Sequence, residues 1–242
     1  MAVLDVKAVA FDLDWTLVRS TVDFEKMKRE VIAIFLSHGL NREVFPDGAK
    51  TDVIARRGRR ALADKGDNLA DIASVMAHVT DAMNRVELER VSQTTRMPGA
   101  ATTMRWVRRQ GMPIGVLTRG CREYADTALR VVGLRRWVDA LLARDEVGYP
   151  KPDPRHLLEL AGTLDCAPGQ VVLVGDSTLD AACARDAGTP FVGVVSGVAS
   201  ERELSRFPHR AVVPRLADLI PLLQPRVYSR GTKAPHNGSV AG

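Results

Sequence analysis

The string Phe11-Asp12-Leu13-Asp14-Trp15-Thr16-Leu17 sets two carboxylates two positions apart, directly after an apolar run. If that run is a strand that continues, period-two alternation places Asp12 and Asp14 on the same side. Such a pair repels itself unless a cation or a proton intervenes, so its chemistry is metal binding or acid–base work. The plain alternative is an Asp-rich turn whose carboxylates accept backbone N–H groups. Three later fragments bear on that choice. Leu117-Thr118-Arg119-Gly120 offers a hydroxyl and a run of backbone N–H groups. Gly148-Tyr149-Pro150-Lys151-Pro152-Asp153-Pro154 holds a lysine between prolines, which restrict the backbone and lower the entropy cost of fixing a cation. Gly175-Asp176-Ser177-Thr178-Leu179-Asp180 is a second acidic loop leading into a helical pattern. Each fragment alone reads as a turn. In this order, each after a successive apolar strand, they describe an edge that gathers a metal and a phosphate.

The elements that must position these groups follow from periodicity. Short, nearly continuous apolar runs at Val6–Phe11, Pro113–Leu117, Val138–Leu142, Val171–Val174 and Phe191–Val195, with a weaker one at Arg210–Val213, predict strands buried on both faces. Helical patterns lie between them at Ala100–Gln110, Arg122–Val132, Pro154–Leu164 and Leu179–Ala187, and glycines at 111, 133 and 188 mark helix ends. Strand and helix in alternation predict an α/β fold, a parallel sheet with helices on both faces. From about Ser20 to Thr95 the pattern is helical throughout, with Phe24, Met27, Val31 and Phe35 on one face and Leu69, Ile72, Met76, Met83 and Val86 on another. The expected organisation is a core of residues 1–18 and 97–224, a helical insert of residues 19–96 joined by two adjacent linkers, and a disordered tail over 225–242.

Composition limits the partners. The 242 residues carry 34 basic and 29 acidic side chains, a net charge of +5 that mildly favours anionic ligands. Aromatic residues make up only 5%, which argues against a nucleic-acid surface of stacked aromatics among basic groups. The absence of an apolar run near 18 residues predicts no membrane span, and the first residues lack the basic-then-apolar pattern of a secretory leader. Three cysteines cannot all pair, so the expected setting is reduced and cytoplasmic. Oligomeric state is not encoded in any visible feature.

The four fragments together resemble, in order and spacing, the motifs of the haloacid dehalogenase-like hydrolase superfamily, over about residues 5–223. The insertion after the first motif is that of its helical C1 cap, and the nearest likeness is to the phosphoglycolate phosphatase-like branch. The resemblance implies a Rossmann-like core, a Mg²⁺ cofactor and an aspartyl-phosphate intermediate. By position, Asp12 resembles the nucleophile and Asp14 the general acid and base. Mg²⁺ is then held by Asp12, the Asp14 backbone carbonyl and Asp176, with Asp180 and Ser177 supporting them. Thr118, Arg119 and neighbouring N–H groups meet the phosphoryl oxygens, and Lys151 offsets charge on the nucleophile. A carboxylate at position 14 favours phosphate-ester chemistry over dehalogenation. The expected substrate is a small phosphorylated metabolite, phosphoglycolate-like or a sugar phosphate. A phosphotransferase or phosphomutase, and a catalytically weak binding protein of the same fold, are the alternatives.

Two residues depart from the family pattern. Trp15 stands where glycine is usual; a positive φ there would strain a bulky side chain, and the expectation is that Trp15 is tolerated and shapes the pocket beneath the linker. Arg19 replaces a frequent aspartate in the linker. Within the insert, Arg56-Arg57-Gly58-Arg59-Arg60 is either a solvated basic face, the favoured reading, or a guanidinium source aimed at an anionic leaving group. His38, His78, His156 and His209 show no paired spacing for zinc and are expected at the surface or at helix ends. Cys121, Trp106 and Trp137 are read as packing residues.

Overall fold

A computed structural model describes residues 6–223. The expected disorder of 225–242 falls outside that range. Among the described residues there are eight strands: β1 Ala8–Phe11, β2 Val18–Arg19, β3 Thr95–Arg96, β4 Ile114–Leu117, β5 Ala140–Leu142, β6 Val171–Gly175, β7 Phe191–Val194 and β8 Ala211–Val213. The helices are α1 Phe24–Ser37, α2 Thr51–Lys65, α3 Leu69–Leu88, α4 Ala100–Arg109, α5 Arg122–Val131, α6 Pro154–Thr163, α7 Thr178–Ala187, α8 Glu201–Leu204 and α9 Ile220–Leu223. Several strands are shorter than their apolar runs by one or two residues, because Val6, Pro113, Val138 and Val195 lie where regular pairing runs out, although Pro113 still accepts from Val9 N–H and Val195 N–H still donates to Val213.

Six strands form one parallel sheet in the order β5-β4-β1-β6-β7-β8. Alternation along β1 feeds two hydrophobic layers: Val9 and Phe11 pack on one face, Ala8 and Ala10 on the other. All four are fully buried, which is why the run reads as continuously apolar. After β1 the chain proceeds to β4 on one side, and β6 lies on the other, so strand order reverses at β1. The crevice past the carboxyl ends of β1, β4 and β6 is therefore the place where such a sheet holds a ligand.

β2 and β3 pair antiparallel, Val18 with Arg96 and Arg19 with Thr95, and between them lies the helical insert. Its three helices bury one stripe each: Met27, Val31 and Phe35 on α1; Ile54, Gly58 and Leu62 on α2; Ile72, Val75, Val79, Ala82 and Val86 on α3. Asp23 and Asn68 cap α1 and α3 through their side chains, and Gly66 ends α2 at φ +96°. The insert has its own apolar centre, with Phe35 and Phe45 stacked at 5.5 Å. Among the described residues no helix is long and apolar enough to cross a membrane.

Candidate active site

Asp12 immediately follows β1 and stays in the ladder, its N–H donating to the Val174 carbonyl at 2.9 Å. The chain then closes a tight loop: Trp15 N–H donates to the Val18 carbonyl at 2.6 Å, and Leu17 N–H to Leu13 at 2.9 Å. That closure forces Trp15 to φ +62°. The position does demand the left-handed region, at about 1–2 kcal/mol for a residue with a side chain. Trp15 pays this strain while packing half-buried against the core, and the Ser196 hydroxyl donates to its carbonyl at 2.7 Å. Its side chain faces the pocket rather than solvent alone.

Lys151 is the hub. Its Nζ donates to Asp12 Oδ1 at 2.5 Å and to Asp180 Oδ1 at 2.7 Å, with only 2% of the residue exposed. Burial alone would lower its pKa, but Asp12 and Asp180 hold it above the ordinary lysine value. The lysine is positioned by His156, which lies in the first turn of α6 and is fully buried, so of its two expected settings it takes the helix end and not the surface. Lys151 N–H donates to His156 Nδ1 at 3.1 Å. Burial and the nearby lysine charge push that imidazole down to about 4, so it stays neutral and able to accept. Asp180 is fixed in turn by the Ser177 N–H and hydroxyl, which donate to its Oδ2 at 3.1 and 2.5 Å.

Asp12, Asp176 and Asp180 each present an oxygen within 4.8 Å of the others. Burial first, then neighbouring carboxylates, raise Asp12 well above the usual range despite Lys151. Burial and Asp180 push Asp176 up to about 7. Three buried carboxylates share one ammonium, so the cluster is short of positive charge and offers only hard oxygen donors. That donor set fits a small divalent cation such as Mg²⁺. Asp176 is oriented by the Val198 N–H at 2.7 Å. The adjoining Gly197 admits no side chain: a Cβ there would lie 2.0 Å from Asp176 Oδ2 and 2.4 Å from Trp15 Cβ.

Asp14 has a partner that no local pattern announced. Tyr124 on α5 donates its hydroxyl to Asp14 Oδ1 at 2.5 Å, and Ser20 beside β2 lies 3.0 Å from the same hydroxyl. Burial raises the Asp14 carboxyl, and these two hydroxyls partly counter it. Thr118, fully buried, accepts from Gly120 N–H at 3.0 Å and so shapes the turn after β4. Arg119 lies beside that turn with its Nε buried and unpartnered, while another of its nitrogens meets Asp52 of α2 at 3.2 Å. Glu87, at the end of α3, was also missed. It accepts from Cys121 N–H at 2.8 Å and from Arg144 at 2.5 Å, and Arg144 further binds Asn84 and the Arg119 carbonyl. Cys121 is buried, and that burial pushes its thiol up to about 12, leaving a packing residue.

The site opens into a cavity of about 810 Å³ between sheet edge and insert, reached by Asp12, Asp14, Arg119, Lys151, Asp176 and Ser177. The structure thus brings the four motifs together. It does not bring the arginine run to them. Arg56, Arg57, Arg59 and Arg60 are all exposed, and none lines this cavity. The buried seam of α2 runs through Gly58, where a Cβ would strike the Phe35 ring at 2.4 Å, so the flanking arginines turn to solvent. A guanidinium from this string aimed at the leaving group is therefore excluded in this arrangement.

Residues 9–194 match the family described as haloacid dehalogenase-like hydrolase. The plasmid phosphoglycolate phosphatase of Cupriavidus necator is 31% identical over 231 residues, covering 92% of this chain and 95% of the relative. Validoxylamine A 7'-phosphate phosphatase of Streptomyces hygroscopicus is 29% identical over 197 residues, covering 78% and 86%. Among solved structures, a family hydrolase from Deinococcus radiodurans with bound phosphate and sodium superposes with a TM-score of 0.60 at 25% identity, covering 92% of this chain and 99% of that one. With sequence match, sheet order and converging loops in agreement, the chain belongs to the haloacid dehalogenase-like hydrolases.

Proposed function

We propose that this protein is a Mg²⁺-dependent phosphatase that hydrolyses a phosphorylated small molecule through an aspartyl-phosphate. The observation that carries the reading is the Lys151 bridge: one buried ammonium holds Asp12 beside a cluster of carboxylates fit for a divalent ion. Relatives named as phosphatases supply independent support. Asp12 attacks phosphorus and forms the acyl phosphate as the ester P–O bond breaks. Asp14, held by Tyr124, gives its proton to the departing oxygen. It then takes a proton from water as that water attacks phosphorus, which frees Asp12 and releases inorganic phosphate. Arg119 and the N–H groups after Thr118 would bind phosphoryl oxygens, and Lys151 steadies charge on Asp12 and the transferring group. Asp12, Asp176 and the Asp14 carbonyl would hold Mg²⁺, which supplies neutralisation of phosphoryl charge. Asp180 serves Lys151, and the insert acts as a cap that excludes water.

The test is hydrolysis of p-nitrophenyl phosphate with and without Mg²⁺. The expected result is metal-dependent release of phosphate equal to the phenol formed, with kcat reduced at least ~10³-fold in Asp12→Asn. Wild-type turnover in that variant would remove the nucleophile assignment, and phenol without free phosphate would indicate transfer to another acceptor.

A further inference from the structure

The leaving-group half of the cavity is built of the wrong material for a small acid. Met27 on α1, Met76, Val79 and Met83 on α3, and Trp15 from the first loop all line it. Phe24 and Val198 also line the cavity although they are 45% and 65% exposed, so large apolar side chains remain uncovered at its mouth. Exposed apolar surface around a concavity marks a place where apolar material binds. Three methionines add adaptability, since unbranched thioethers repack around different shapes. A volume of about 810 Å³ sits in the upper part of the ~300–1,000 Å³ range typical of sites that enclose sizeable ligands.

Most cations beside this wall are already paired. Lys28 pairs with Glu25 at 2.6 Å. Arg119 pairs with Asp52, and Arg144 is held by Glu87 and Asn84. Lys50 lines the cavity but is exposed to solvent. With Arg119 given to the phosphoryl group, a carboxylate on the leaving group would find only the exposed Lys50 ammonium, and against the apolar wall itself an unpaired charge is costly.

We infer that the substrate is a phosphate monoester whose leaving alcohol is bulky and apolar, seated against Met27, Met76, Val79, Met83 and Trp15, rather than phosphoglycolate. The inference rests on the phosphatase reading and specifies its substrate class. Apolar burial discriminates by chain length: each methylene taken from water is worth about fourfold in affinity for the transition state.

The experiment compares kcat/KM for methyl, butyl, hexyl and 3-phenylpropyl phosphate with that for 2-phosphoglycolate, all with Mg²⁺. Simple primary alkyl esters keep the broken bond alike, so the trend reports the pocket. The expected result is a rise of at least tenfold from methyl to hexyl phosphate, with hexyl and 3-phenylpropyl phosphate above phosphoglycolate. In Met83→Lys the rise with chain length should flatten and the ratio of phosphoglycolate to hexyl phosphate should increase. A flat wild-type series, or phosphoglycolate preferred over every alkyl ester, overturns the inference while leaving the phosphatase reading standing. Failure to hydrolyse any ester, p-nitrophenyl phosphate included, overturns both.

Discussion

The two halves of the cavity are built on opposite principles. At the sheet edge the lysine and each carboxylate have a named partner: Lys151 between Asp12 and Asp180, His156 behind Lys151, Ser177 behind Asp180, Val198 N–H on Asp176. Under the insert methionine, valine and tryptophan supply most of the wall, and its charged contacts with the sheet domain lie at the seam where Glu87 meets Arg144 and Asp52 meets Arg119. The first half fixes geometry for a group common to all phosphate esters. The second supplies area, which discriminates by size and polarity and tolerates variation in shape. On the proposed reading, chemistry and selectivity are separated by material.

The seam between the halves is where the contrast is most easily broken. Arg144→Met leaves Glu87, only 4% exposed, as a buried carboxylate without its cation. We expect a loss of about 3 kcal/mol in unfolding free energy by urea titration. Adding Glu87→Gln should recover part of that loss; a double variant no more stable than Arg144→Met would show that the pair is not the cause. The next effect belongs to the reaction half. Tyr124→Phe removes the hydroxyl on Asp14 and should lower kcat on alkyl phosphates roughly tenfold to thirtyfold, with KM held within about twofold. The drop should be smaller on p-nitrophenyl phosphate, whose leaving group needs less protonation; equal drops would reduce Tyr124 to a packing residue.

Smaller still is a pH-dependent metal effect. Asp176, raised to about 7 from an ordinary value near 3.8, holds its proton more tightly folded than unfolded, so its ionisation between those values weakens the metal-free fold. Mg²⁺ must displace that proton to bind. The gain in Tm on adding Mg²⁺ should therefore grow between pH 5.5 and 8, by roughly 3–8 °C. Taking the gain at each pH cancels the opposite contribution of His156, which is lowered to about 4 and favours the fold as pH rises toward 6.5. A gain independent of pH would mean that the carboxylates are not proton-linked to the ion. The smallest effect is expected from Arg56→Ala with Arg59→Ala: both are exposed and off the cavity, so kcat/KM for any ester should stay within about twofold. A selective loss on an acidic ester would restore them to the site.

How much of this could be read beforehand depends on the range of the signal. Asp12, Thr118 and Asp176 sit at strand ends and Lys151 in the loop between β5 and α6, and the strands announce themselves by short apolar runs; local pattern and fold topology together place them. Tyr124 lies 110 residues from Asp14, on a helix whose amphipathic pattern says only that it is buried. No spacing rule ties the two. His156 sits at a helix end, one of its two expected settings, but its burial follows only from Leu157, Leu160 and Ala161 marking the buried face of α6. Trp15 was opaque for a different reason. Its positive φ is imposed by loop closure onto Leu13 and Val18 together with Ser196, and a tryptophan carries none of the conformational signal a glycine would. The arginine run follows its favoured reading as a solvated face, because Ile54, Gly58 and Leu62 at four-residue steps form a buried seam that leaves the arginines outside.

The ribbon of Val18–Arg19 against Thr95–Arg96 has an evolutionary reach beyond hinging. Because the chain leaves and re-enters the sheet domain at neighbouring points, everything between residues 20 and 94 is a cassette with a single attachment. A different bundle spliced across that doorway would present a new wall to the same Asp12, Lys151 and Asp176. Diversification by wholesale exchange of the roof, with the hearth untouched, is the path this architecture leaves open.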